Sequence, residues 1–196
     1  IDTGIYTQQV SISSNDGNGT SSAPVTFVGP TNEPGAVFRL YGFNFVGPRH
    51  VRMSSLRMVD QGDALTLSGE SISYEFRGNV FTSPFSWGNP VSVRGELAKG
   101  NRFVANTVSG GGGTGGADAA GIWIDGGKGT FIISNVISLS PSFGIRLSDT
   151  ATSNRIYGNR ISSCVRGAII LTNKRGVWDA GLVNRNIVSR NICIAN

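Results

Sequence analysis

The sequence predicts an all-β chain whose short strands stack in parallel as a solenoid. Three observations predict it: a composition hostile to helices, a recurring apolar–Asn–apolar spacing, and a second alternating strand between most of its copies. The 196 residues hold 28 Gly, 23 Ser and 16 Asn but only 12 Asp+Glu and 17 Lys+Arg. Charged residues make up 15%, against about 25% in an ordinary domain. That deficit, with so many helix-weakening residues, excludes a helix bundle or coiled coil. Disorder is excluded too, because the 39% hydrophobic content falls in short β-branched groups such as FIISNVI and AIILT that supply a core. No run approaches the ~20 apolar residues of a membrane span, so no membrane partner is expected. The chain begins at Ile1, without Met or a visible signal peptide, in what reads as a strand, so upstream residues are expected to have been removed.

The repeat is an apolar residue, then Asn three positions on, then an apolar residue two further. It occurs as Phe76-Asn79-Phe81, Phe103-Asn106-Val108, Ile132-Asn135-Ile137, Ile156-Asn159-Ile161 and Val188-Asn191-Cys193. Val51-Ser54-Leu56 reads as a degenerate copy and Phe38-Tyr41-Phe43 as a further one. Between most copies lies a second period-2 strand: Leu65-Thr66-Leu67, Val91-Ser92-Val93, Ile122-Trp123-Ile124, Ile145-Arg146-Leu147 and Ile169-Ile170-Leu171. Alternation of this kind marks strands. A minimal period of 24 residues with variable insertions means that each copy is one coil, stacked about 4.8 Å from the next. The Asn is expected at a tight bend, where its tolerance of left-handed backbone suits it, with stacked amides bonding along the axis.

GIRLSDTATSNRIYGNRIS (144–162) and GNRFVANTVS (100–109) resemble the right-handed parallel β-helix repeats shared by pectate-lyase-like proteins. IDTGIYTQQVSIS and SSAPVTFVGP, within 1–30, resemble the opening coil of secreted members. The resemblance implies one right-handed parallel β-helix domain over 1–196, of about six to seven coils, in a protein that is secreted, periplasmic or on the cell surface. It also implies an order: the GIRL-type strand is the first of each coil, the strand before the Asn bend the second, and the strand after it the third. Because neither terminus carries a cap of the family's kind, the chain is expected to be a fragment of a longer helix, or one capped by a partner.

Insertions beyond the minimal period fall at Thr82–Asn89, Ser109–Asp118 and Asn173–Gly181, flanking the first-strand face where a solenoid builds its binding surface. Alternation places Thr66, Ser92, Trp123, Arg146 and Ile170 outward on that face, with Ser68, Arg94, Asp125, Ser148 and Thr172 one step along. Trp87 and Trp178 lie in the flanking insertions, so every Trp borders one groove, and flat rings suit the apolar faces of sugars. The net charge of +5 and sequence pI of about 9.7 point to an anionic ligand. Arg94, Arg146 and Asp125, with Lys99 and Lys128 in the turns that follow the first strands, would serve an acidic polysaccharide.

β-Elimination from a uronic acid needs a cation to neutralise the carboxylate and a base to take the adjacent proton. Lys128 or Arg146 is the candidate base and Arg94 the neutraliser, with Trp123, Asp125, Trp87, Trp178 and Lys99 as substrate-binding residues. Family members doing this chemistry use Arg or Lys on the first-strand face, some with calcium, for which Asp118, Asp125 and Asp149 are the available acids. Nothing resembles a calcium loop. Hydrolase chemistry is less favoured: His50 is the sole His and Asp60 and Asp63 the closest acidic pair. YGFN (41–44) overlaps only the start of the epimerase-like motif. One His and two distant cysteines exclude a transition-metal site. Cys164 and Cys193 are offset too far to bridge, and Cys193 is expected as a small core residue. Nucleic acid is disfavoured because no strand interleaves Arg with aromatics.

The expected function is therefore a secreted carbohydrate-active β-helix that binds an acidic polysaccharide, with β-elimination as its candidate chemistry. The competing class is a structural or adhesive rod, such as a phage tail fibre, assembling as a trimer.

Overall fold

The computed structural model describes residues 5–8, 10–16, 18–29, 37–40, 42–60, 62–84, 88–111, 119–172 and 183–194. They form three parallel sheets of seven, seven and eight strands, which the chain visits in rotation. The first sheet holds Val10–Ser13, Phe43–Val46, Leu65–Ser68, Val91–Arg94, Ala120–Asp125, Phe143–Ser148 and Gly167–Thr172. The second holds Val25–Val28, Val51–Ser54, Glu75–Arg77, Arg102–Val104, Phe131–Ile133, Arg155–Tyr157 and Ile187–Ser189. The third runs from Ile5–Tyr6 and Val37–Leu40 through Arg57–Asp60, Val80–Ser83, Thr107–Gly110, Val136–Ser138 and Arg160–Ser162 to Ile192–Ile194.

Strands this short hold one or two inward residues each, so the core is a set of columns running along the axis. Phe76, Phe103, Ile132 and Ile156 form one column of the second sheet and Phe81, Val108, Ile137 and Ile161 one of the third. All eight are fully buried. Toward the N-terminal half the core is aromatic: Phe76 stacks on Phe103 with centroids 5.0 Å apart and on Tyr74 at 5.8 Å, and meets Phe45 and Phe81 edge-on. Burial pushes the Tyr74 phenol well above its ordinary value, with nearby Ser71 drawing it part of the way back.

Register corrects two of the repeat copies. Met53, not Val51, pairs with Phe76, and Met58 pairs with Phe81, so the degenerate copy is Met53-Leu56-Met58. Phe38 pairs with Met58 in the third sheet, whereas Phe43 pairs with Leu65 in the first. Phe38-Tyr41-Phe43 therefore spans two sheets and is not a copy of the repeat.

The bends carry a further correction. Asn79, Asn106, Asn135, Asn159 and Asn191 are not left-handed; the residue before each one is, namely Gly78, Ala105, Ser134, Gly158 and Arg190. The Asn is there for its amide. The Nδ2 groups of the first four donate to the next Asn Oδ1 at 2.9 to 3.2 Å. All five also donate to a backbone carbonyl one coil back, that of Met53, Phe76, Phe103, Ile132 and Ile156 in turn. Each Oδ1 takes the backbone N–H of the preceding coil's bend, from Leu56 through to Asn159. A bend of stacked coils buries N–H groups that no strand pairs; the Asn Oδ1 takes them, while its Nδ2 ties the bend to a carbonyl of the strand one coil back.

A second column, absent from the sequence reading, repeats this device before the second strands. Asn101, Asn154 and Asn186 accept from the backbone N–H groups of Tyr74, Thr130 and Asn154. They donate to the carbonyls of Ser71, Gly127 and Ala151. Each again follows a left-handed residue: Gly100, Ser153 and Arg185.

Left-handed Ala105, at φ 54, gives a prediction. An L-residue there costs about 1–2 kcal/mol, while glycine loses about 0.5–1 kcal/mol in chain entropy. Ala105→Gly is therefore expected to stabilise the fold by about 0.5–1 kcal/mol, a rise of roughly 1–4 °C in Tm. A lower Tm in a thermal melt would refute it.

Glycine before the first strands has a different cause. A Cβ on Gly144 would lie 2.4 Å from Ile161 Cγ2 and 2.7 Å from the Ala168 carbonyl oxygen. At Gly144 the first-sheet strand runs too close to Ile161 and to the Ala168 backbone for a side chain.

Cys193 pairs in register with Ile161, as a core position would, yet it is exposed. It sits on the last strand of its sheet, with no described strand beyond it. Cys164 is buried, and burial pushes its thiol up. Neither cysteine forms a disulfide.

Candidate functional site

The outward rows of the first sheet follow from its register. Thr66, Ser92, Trp123, Arg146 and Ile170 align across five strands. Arg94, Asp125, Ser148 and Thr172 align one step along. The structure thus brings together Arg94, Trp123, Asp125 and Arg146 with Ser92 and Ser148 of the same rows, and adds Asp63.

Trp123 is half-buried at the centre of this group. Arg94 and Arg146, from the strands on either side, hold their guanidinium carbons 5.7 and 5.3 Å from its ring centroid. Its Nε1 donates to Ser148 Oγ at 2.7 Å, and Ser148 Oγ donates to Asp125 Oδ1 at 2.9 Å. The indole is engaged in packing and bonding within the sheet, a use of cation–π attraction that also desolvates the cations.

The two arginines differ. Arg146 is 2% exposed, so a polymer lying on the surface does not reach it. Arg94 has a side chain 49% exposed, and it is held by Asp63 Oδ2 at 2.6 Å and by Ser92 Oγ, which accepts from Nε at 2.8 Å. Asp63 itself accepts from the Asn89 backbone N–H at 2.8 Å and from the Thr66 hydroxyl at 3.3 Å. Asn89 Oδ1 in turn accepts from the Ala120 N–H at 2.8 Å. Asp63 and Asn89 thus tie the entries of successive first strands together while orienting Arg94. Sequence reasoning weighed Asp63 only as half of an acidic pair. Its bond to Arg94 spans 31 positions, a separation that shows only once the coils are in register.

Lys99 and Lys128 stand elsewhere. They occupy a column of isolated parallel bridges running Arg49, Ile72, Lys99, Lys128 and Thr152, in the turns before the second strands. Both lysines are exposed. Trp87, Trp178 and Asp118 lie outside the described residues. Among the described residues no cluster of three or more His, Cys, Asp or Glu could hold a metal, and no helix is long and apolar enough to cross a membrane. His50 lines an open cleft of about 660 Å³ with Ser14, Asn18, Arg49 and Glu70, where Arg49 pairs with Glu70.

The second sheet carries what sequence reasoning missed altogether. Arg102, Phe131 and Arg155 align on three successive strands, with the guanidinium carbons 5.2 and 5.6 Å from the Phe131 centroid. Arg190 lies 5.5 Å from the Tyr157 ring and donates to its hydroxyl at 2.8 Å. Aromatics do interleave with arginines, across strands instead of along one.

Searches of curated proteins and of solved structures find no match. A family model described as "Right handed beta helix region" matches residues 41–195. With that match over most of its length and three parallel sheets wound coil on coil, the chain belongs to the right-handed β-helix family.

Proposed function

We propose that this chain is an extracellular carbohydrate-binding β-helix that holds an extended acidic polysaccharide on the outward face of its first sheet, without cleaving it. The observation that carries this reading is the cluster around Trp123. An outward cation, Arg94, is fixed in orientation by Asp63 and Ser92 beside hydroxyls and a half-buried indole. A pre-oriented guanidinium fork suits a carboxylate, while the buried Ser92, Ser148 and Asp125 hold Arg94 and Trp123 in place from beneath. The net charge of +5 favours the same class of ligand.

Binding without turnover is the better reading because β-elimination needs base and neutraliser at one substrate carbon. Arg146 is buried, and Lys128 belongs to the turn column with Lys99 and Thr152. Wild-type protein is expected to bind polygalacturonate in a salt-sensitive manner and to generate no unsaturated-uronate absorbance. Arg94→Gln should weaken binding about tenfold, the effect of one charge-assisted hydrogen bond, with partial recovery in Arg94→Lys. Absence of binding at low salt would sink the reading, and accumulation of unsaturated product would replace it with a lyase.

The burial of Arg146 and the engaged ring of Trp123 favour a second reading, a structural or adhesive rod. A chain that sediments as a trimer and binds none of these glycans would favour it.

A further inference from the structure

We propose a second ligand-binding strip on the outward face of the second sheet, centred on Arg102, Phe131 and Arg155, that takes a linear glycan whose acidic groups sit on alternate sugars. The strip does not depend on the first-sheet reading, since it shares no residue with it.

The charge on this face is unbalanced. Glu75 is the only carboxylate on the second-sheet strands, and it already engages Arg77 at 3.1 Å and Arg52 at 3.8 Å. Beyond it, Arg102, Arg155 and Arg190 are exposed and take part in no ion pair among the described residues. Three unneutralised guanidinium groups on one rigid sheet face are complementary to an anion. Phe131 and Tyr157 hold them by cation–π contact, so little side-chain freedom is lost when a ligand arrives.

Geometry selects the ligand. Arg102 and Arg155 stand two strands apart, so their guanidinium groups recur at about 10 Å along the axis. Duplex nucleic acid carries a charge every ~1.7 Å of its axis, far denser than this strip. Single-stranded nucleic acid needs open aromatic faces on which to stack its bases, whereas the Phe131 ring is taken up by the two guanidiniums. A glycan with an acid on every second sugar matches instead: its carboxylates meet the two Arg forks, and the neutral sugar between them crosses the edge of Phe131 and needs no open ring face. An acid on that middle sugar would fall on a side chain that offers no donor.

The test is binding of hyaluronan, in which glucuronate alternates with a neutral amino sugar, to the whole chain at low salt. The Arg102→Gln/Arg155→Gln double variant should lose at least tenfold in hyaluronan affinity while melting like wild type, because both side chains are exposed. The corresponding double Lys variant, which keeps charge without the fork, should fall between the two. Arg94→Gln should leave hyaluronan binding intact while weakening polygalacturonate binding. If polygalacturonate fails to bind but hyaluronan binds through Arg102 and Arg155, the first-sheet reading falls and this one stands. The strip is refuted if wild type binds no hyaluronan, if the double Gln variant binds it as tightly as wild type, if Arg94→Gln abolishes it, or if duplex DNA at equal charge concentration displaces it.

Discussion

Replacing Asn135 by alanine is expected to cost about 3–5 kcal/mol of stability, the loss of four buried hydrogen bonds at once. Asn135 is 1% exposed and stands in the middle of its column. Its Nδ2 donates to the Phe103 carbonyl and to Asn159 Oδ1, both at 2.9 Å. Its Oδ1 accepts from the Asn106 backbone N–H at 2.9 Å and from Asn106 Nδ2 at 3.0 Å. Alanine orphans the buried Asn106 N–H, takes one bond from the Phe103 carbonyl and leaves two amides half-paired, the buried orphan alone costing about 1–3 kcal/mol. Asn135→Asp should be at least as damaging, because a carboxylate cannot donate to Phe103 and would bury a charge. Urea titration of both variants at an unchanged m-value is the measurement. A loss under about 1 kcal/mol would mean that water replaces the amide at the bend.

Phe76→Ala is expected to be comparable, about 3–5 kcal/mol, through a cavity that the core cannot close. The ring contacts Tyr74, Phe103, Phe45 and Phe81 at once, and those neighbours belong to columns held by strand pairing on every coil. Collapse would require moving whole strands. Phe76→Leu, which keeps most of the volume, should cost less than about 1.5 kcal/mol. If the Ala and Leu variants melt alike, aromatic stacking rather than filled volume governs this part of the core.

These two side chains occupy adjoining positions of the repeat and show why the fold was legible. Phe76 and Asn79 are three apart, and the same pair recurs at Phe103 and Asn106, at Ile132 and Asn135 and at Ile156 and Asn159, because every coil meets the same surroundings above and below. The reason given for the Asn was less accurate. Left-handed tolerance belongs to the residue before it, Ala105 or Ser134 for example, whereas the Asn serves the unpaired peptides of the bend. That distinction turns on φ, which residue type does not report. The second Asn column escaped notice because Thr130 interrupts it and because glycine, serine and arginine take turns before it.

The candidate site was legible in part. Alternation placed Trp123, Arg146, Arg94 and Asp125 outward on one face, and register aligns them so. Alternation could not tell Arg94 from Arg146, since one is exposed and the other 2% exposed on the same face. Nor could it find Asp63 as the partner of Arg94, or Phe131 as that of Arg102 and Arg155.

What the sequence by itself determined is the solenoid: its period, its strands, the positions of its bends and the residues that face inward. Those properties are local, set by alternation within a strand and by one repeated neighbour relation between coils. What only the tertiary structure decided is which outward side chains meet, how deeply each is buried and which cation is left without a carboxylate. Strand pairing between coils joins residues 20 to 33 positions apart, and that offset changes with every insertion. A shift of one position would turn each outward residue inward, so the pairing of arginine with tryptophan or phenylalanine exists only once hydrogen bonding has set the register.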